Sequence, residues 1–206
     1  MGGFLAAIGE ETNSVVFPKY VKSIFSVSLP EKINDITFPE YVGWNYYVRK
    51  SGILKDVVFP KYIFGSISLS EVNEIQNVIF PEQIYGDITM SNLKKASSST
   101  LPTIVDGDIY MLNLEQADDF RLSSKVGILD LGKITNLEGV IVPNDFKCSC
   151  VNSSYITKED LINKSLEHAQ VGENHKRMGF SNIYILALFT YVSSLLLTLI
   201  GFLLFK

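Results

Sequence analysis

Cys148 and Cys150, with His168 and His175, are the residues best suited by type to hold a metal ion. A Cys-x-Cys pair supplies half of a structural zinc site, which takes four protein ligands. No second pair stands anywhere in the chain, so the two thiols are expected to be solvent-side groups in a reducing compartment. Carboxylates are the other candidates. Asp87, Asp108 and Asp130 recur in successive stretches of the chain. Aligned on one sheet face, they would suit a cation, a basic partner, or the acid–base work of a solenoid hydrolase. Surface solubility explains them more simply, as solvated turns explain Asp118-Asp119 and Glu10-Glu11. The chain has no nucleophile elbow, phosphate loop or metalloprotease helix signature. It is therefore expected to be non-enzymatic, with no cofactor and no bound metal.

The elements that would position these residues are set by a repeat. Phe17-Pro18, Phe38-Pro39, Phe59-Pro60, Phe80-Pro81 and Leu101-Pro102 are each 21 residues apart. The next step falls on Leu122-Ser123, and the one after on Val142-Pro143, a residue short. Other columns keep the same register. Val21, Val42, Ile63, Ile84, Val105 and Val126 lie four residues after the Phe position. Phe25, Tyr46, Ile67, Ile88 and Ile109 lie eight after, and Val27, Val48, Leu69, Met90 and Met111 ten after, with Leu129 and Leu131 taking these places in the shortened unit. Ile33, Leu54, Ile75, Ala96 and Ala117 lie sixteen after. Gly65, Gly86 and Gly107 precede the central pair, with Gly43 and Gly127 one place earlier.

Residues two apart share one face of a strand, so the eight- and ten-after columns predict short inward-facing strands. One unit cannot bury them alone, but stacked neighbours close a continuous core. The Phe-Pro step is a corner, because Pro fixes its own φ and keeps the preceding residue extended. The fold expected is mainly β, a right-handed parallel β-solenoid over residues 2–146 within a repeat domain of 1–150. Residues 2–16 read as a half repeat that caps the stack, or as the remnant of a longer array. Six turns at about 4.8 Å each give a rod of roughly 29 Å. Tyr20, Tyr41 and Tyr62 form a further column near the corners, expected to be an aromatic ladder closing the core.

Over residues 2–146 the chain loosely resembles the leucine-rich-repeat superfamily, most closely its divergent bacterial and phage type. Leu101-Pro102-Thr103-Ile104-Val105-Asp106-Gly107-Asp108-Ile109-Tyr110-Met111 carries the resemblance. The asparagine ladder of the standard repeat is missing. The resemblance implies recognition of other macromolecules and names no ligand; it also suggests a bacterial origin.

Beyond the repeat, Thr157-Lys158-Glu159-Asp160 has the form of a capping box. It opens a predicted amphipathic helix over 158–170 that caps the last coil. Gly172 to Ser181 is a polar linker within the 151–182 segment. Residues 183–205 carry no charge over 23 positions. As a helix they would cover about 34 Å, enough to span a bilayer. His175, Lys176 and Arg177 precede this segment and Lys206 follows it. The positive-inside bias then places the repeat domain in the cytoplasm, as a single-pass, tail-anchored protein of a bacterial inner membrane. An outward-facing domain would make Asn152-Ser153-Ser154 and Asn163-Lys164-Ser165 glycosylation acceptors. Ala187, Thr190, Ser194, Thr198 and Gly201 put small residues on one stripe, which suits homodimerisation through the helix.

The net charge is −4. With no basic cluster, a nucleic-acid partner is not expected. The outward sheet residues include Asn45, Tyr47, Arg49, Asp87, Asp108, Tyr110 and Asp130, and Tyr and Arg are common binding anchors. The function expected is a membrane-anchored recognition or scaffold protein that binds a protein partner through this face. A toxin-neutralising immunity protein and an aspartate-bearing hydrolase are the alternatives.

Overall fold

The computed structural model describes residues 3–12, 14–30, 35–49 and 52–167. These form a parallel β-solenoid of about seven turns with 21-residue spacing. The turns that start at Phe38, Phe59, Phe80 and Leu101 each contribute three short strands. The turn that starts at Phe59 has Tyr62–Ile63, Ile67–Ser68 and Val72–Gln76. Every strand pairs in parallel with its counterpart one turn away: Ile63 with Ile84, Ile67 with Ile88, Ile75 with Ala96. The third strand lies around the sixteen-after column, a side of the coil that the sequence marked with one residue per turn. Ile33 lies outside the described residues.

The eight- and ten-after columns are buried, as their strand periodicity predicts, and the four-after column is buried as well. The shortened unit drops one residue between its corner and its central strand, so Ile109 faces Leu129 across the stack, 20 residues on. Lys125–Gly132 is a single long strand there and joins the first two sides of the coil into one sheet. The last strand, Lys147–Ser153, extends the stack past Phe146. Cys148 pairs with Val126 on it and takes the inward four-after place. Cys148 is therefore buried, a correction to the expected solvent-side pair, and burial pushes its thiol up from the usual range; Cys150 is exposed.

The core changes character along the stack. In the first turns two columns of rings interlock. Phe17, Phe38, Phe59 and Phe80 stack at 5.9, 5.9 and 4.8 Å. Phe4, Phe25 and Tyr46 stack at 5.4 and 4.9 Å and meet the first column edge to face. Leu101, Leu122, Ile67 and Ile88 then continue the same columns with aliphatic chains. Edge-to-face pairs add about 0.5–1.5 kcal/mol each beyond the area they bury. Tyr46 is fully buried, and its hydroxyl has no hydrogen-bond partner among the described residues. Tyr46→Phe should therefore raise stability at neutral pH, by about 1 kcal/mol or more, in chemical denaturation. Burial also raises the Tyr46 pKa well above the normal phenol value. The neutral phenol is favoured by the fold, so this contribution is complete below pH about 10 and is lost as pH rises toward the folded value. Tyr46→Phe should remove that alkaline loss.

A second corner is built from left-handed residues. Asp56, Asn77, Ser98 and Asp119, 21 apart, have φ of 54°, 52°, 44° and 49°. Asn, Asp and Ser are residue types at home in turns, and the first two tolerate this region best. Asn77 Nδ2 donates to Asp56 Oδ1 of the previous turn at 2.8 Å. Asp118 and Asp119 are exposed, but they lie within the strand Gln116–Arg121 rather than in the expected turn, with Asp119 bending it; Glu10 and Glu11 are exposed in a turn, as expected.

After the last strand a helix runs over 158–167. Its capping box forms: Thr157 Oγ1 accepts from Asp160 N–H at 3.2 Å and the Asp160 carboxylate accepts from Thr157 N–H at 2.8 Å. The bonds that the Thr157 N–H and hydroxyl donate to the carboxylate hold the Asp160 carboxyl below the ordinary range. Leu161 and Ser165 are buried, while Ile162 and Leu166 are exposed. The remainder of the predicted helix to 170, the linker, the apolar segment 183–205 and the stripe from Ala187 to Gly201 lie outside the described residues. Among the described residues no helix is long and apolar enough to cross a membrane.

Candidate functional site

The outward positions of the second strand form a polar face. Its first column, one residue before the buried Ile67, Ile88 and Ile109, runs Asn45, Ser66, Asp87, Asp108. These side chains are not free surface groups. Ser66 N–H donates to Asn45 Oδ1 at 2.9 Å, Asp87 N–H to Ser66 Oγ at 3.0 Å, Asp108 N–H to Asp87 Oδ1 at 2.9 Å, and Ile128 N–H to Asp108 Oδ1 at 2.7 Å. Each side chain accepts from the backbone of the same column one turn on. The result is a ladder along the coil. A side-chain acceptor for a partly buried N–H is worth about 1 kcal/mol, more when the acceptor is a carboxylate.

The ladder also explains the glycine column. A Cβ on Gly65 would lie 2.3 Å from Asn45 Oδ1, on Gly86 2.4 Å from Ser66 Oγ, and on Gly107 2.2 Å from Asp87 Oδ1. Gly127 meets Asp108 Oδ1 at 2.3 Å in the same way. Its place one residue early is the deletion in that unit. Where the preceding turn has Ile24 in place of a short acceptor, the glycine position is filled by Trp44. Gly43 is different in kind, since its Cβ would meet the Lys22 backbone oxygen at 2.4 Å.

The second outward column runs Ser26, Tyr47, Ser68, Thr89, Tyr110, Asp130, and it is tied to the first. Asn45 Nδ2 donates to the Tyr47 hydroxyl at 2.9 Å, and the Tyr110 hydroxyl donates to Asp108 Oδ2 at 2.8 Å. The bond to Asp108 is the main reason the Tyr110 hydroxyl titrates above the ordinary range. Asp130 faces Tyr110 across the stack and so belongs to this column, whereas Asp87 and Asp108 belong to the ladder. The three acids do not form one row. Asp130 is also only 4% exposed; it accepts from Gly132 N–H at 2.8 Å and from Asn152 Nδ2 at 2.6 Å. Asp130 keeps the expected outward position but is covered rather than exposed, because the last strand lays Asn152 over it.

Tyr47 and Arg49, with Ser68, Ser70 and Glu71, line an open groove of about 280 Å³ on this face. Arg49 is exposed. The Ser68 and Ser70 hydroxyls lie 3.1 Å apart. Arg49 offers planar donors and Tyr47 a pinned ring, a combination that suits a carboxylate or carbonyl edge of a partner. Among the described residues no group of three or more His, Cys, Asp or Glu is placed to hold a metal ion.

The tyrosine column is the other correction. Tyr20 and Tyr62 are 62% and 49% exposed, and Tyr41 is half-buried. Val21, Val42 and Ile63, their neighbours on each strand, are the residues that close the core. The tyrosines point the other way, as alternation along a strand requires.

No family model, curated protein or solved structure matches the chain.

Proposed function

We propose that the chain is a non-enzymatic recognition module of leucine-rich-repeat-like type, coiled right-handed and tethered to a membrane by residues 183–205. It binds a protein partner through the sheet face that carries Tyr47, Arg49 and Tyr110. The supporting observation is the ladder. Asn45 and Asp108 each bridge to the next turn's backbone and at the same time fix a tyrosine. Binding groups held in place before contact lose little freedom on association, and preorganisation of this kind favours recognition. The same bonds weigh against the hydrolase reading, because Asp87, Asp108 and Asp130 all have carboxylate oxygens engaged in cross-turn or local hydrogen bonds. The small-residue stripe from Ala187 to Gly201 would pair two tethers and double the faces presented at one spot.

The test compares partner capture by the detergent-solubilised full chain and by Arg49→Glu/Tyr110→Ala, which leaves the ladder acceptors intact. Loss of two anchor side chains should weaken capture about 30-fold or more. Equal capture by both chains would place the contact surface elsewhere. Deletion of 183–206 should release the protein from membranes.

A further inference from the structure

The Phe-Pro corner is apolar outside as well as inside, but over only part of the coil. Tyr20, Trp44, Tyr62, Phe64 and Tyr85 are exposed beside it, and Trp44, 63% exposed, is the chain's single tryptophan. Val58 and Ile79, just before the corner, are exposed too. The rings form an ordered ladder: Tyr41 meets Phe64 at 5.5 Å and Phe64 stacks on Tyr85 at 5.3 Å. Between Tyr62, Phe64 and Tyr85 runs a groove of about 540 Å³ walled by Lys61, Glu82 and Gln83. Further along the stack the same columns turn polar. Thr100 and Arg121 replace Val58 and Ile79, Lys125 takes the Tyr62 position, and Asp106 takes that of Tyr85. Asp106 is paired there with Lys125 at 3.1 Å.

An exposed aromatic edge of this extent needs a cover, and two features say which. The residue after each corner proline alternates in sign, Lys19, Glu40, Lys61, Glu82. Lys19 bridges Glu40 at 3.1 Å, and the Lys19 and Lys61 ammonium groups lie 5.6 and 5.1 Å from the Tyr20 and Tyr62 ring centres. The column sums to zero and presents paired charges of both signs, the pattern of a zwitterionic headgroup layer and a poor match for a polyanion. Trp and Tyr beside Lys stems are also the residues that settle at the boundary of a bilayer. The second feature is tether length. The fifteen residues 168–182 separate the described helix from the uncharged segment 183–205. Extended, they reach up to about 50 Å, enough for the corner to meet the surface that holds the anchor.

We infer that this aromatic corner docks into the headgroup region of a zwitterionic bilayer and lays the coil on the membrane. The inference rests on the membrane-tether reading, and the experiment separates the two. The full chain is reconstituted in phosphatidylcholine–phosphatidylethanolamine vesicles, some with lipid brominated high on the acyl chain. Trp44 fluorescence is the signal. The reference is Trp44→Phe/Asn92→Trp, which moves the indole to an exposed turn after the central strand. Trp44 should be quenched by iodide about threefold less than the displaced indole, and should be quenched by the brominated lipid, as expected for a ring settled 5–10 Å into the interface. Raising salt should change both effects only slightly, because the charges after the corner prolines cancel and exposed Lys22, in the Phe64–Tyr85 column, adds a single positive charge. Tyr62→Ser/Phe64→Ser/Tyr85→Ser removes only exposed rings, keeps the fold, and should restore iodide access. A chain that floats with the vesicles while Trp44 stays as accessible as the reference overturns docking and leaves the tether standing. A chain that fails to float overturns both. Protection from iodide without quenching by brominated lipid means that protein covers the corner, and also overturns the inference.

Discussion

Ile88→Asp should abolish cooperative folding of the coil. Ile88 is fully buried in the middle of the stack, between Ile67 and Ile109 of the adjoining turns. The aspartate would have no cation within the apolar column, and an unpaired buried charge costs several kcal/mol. A whole domain is stable by only about 5–15 kcal/mol. The architecture sharpens the loss. In a solenoid each turn is held by its two neighbours, so one failed turn weakens two interfaces and divides the stack into shorter pieces. The expected result is loss of the far-UV dichroism of the sheet and rapid proteolysis at neutral pH. Thr103→Asp, on an exposed corner, is the control and should change stability by less than about 0.5 kcal/mol. A native-like spectrum and a normal denaturation midpoint for Ile88→Asp would mean that the eight-after column is not the core.

Gly107→Ala should be nearly as damaging for one added methyl group. The new Cβ would fall 2.2 Å from Asp87 Oδ1 and 2.8 Å from the Gly86 carbonyl. The Asp87 side chain can swing away, but the Asp108 N–H then loses its acceptor. The Gly86 backbone cannot move without opening the spacing between turns. The two costs together, one of overpacking and one of an unmet donor, come to about 3 kcal/mol or more. Asp87→Ala/Gly107→Ala should recover little, because the backbone clash remains. Gly9→Ala is the control, since the nearest atom to its Cβ is Thr12 Oγ1 at 3.9 Å and its effect should stay within about 0.5 kcal/mol. Urea denaturation followed by circular dichroism reads all three. A near-neutral Gly107→Ala would show that the ladder side chain does not occupy the space above the glycine.

Repeat length, parallel stacking and the inward eight- and ten-after columns are legible in the residues alone. These share one physical cause. A constant spacing of 21 places residue n directly beside residue n + 21, so any requirement of the stack is written down the column. Burial is the strongest such requirement, which is why the columns from Phe25 to Leu129 and from Val27 to Leu131 could be assigned inward from residue type and spacing. The left-handed corner at Asp56, Asn77, Ser98 and Asp119 and the ladder at Asn45, Ser66, Asp87 and Asp108 were equally present as columns, but their chemistry is mixed. Asp on a surface and Asp that accepts a neighbour's N–H look the same until the backbone says where that N–H points. Only the tertiary structure decided this. It separated Asp130 from Asp87 and Asp108, because one deleted residue and a further strand bearing Asn152 changed the surroundings of one acid. It also turned the tyrosine column outward, because which side of a two-residue strand faces the core depends on how the chain bends into and out of it, and alternation over two residues fixes the contrast between them but not its sign.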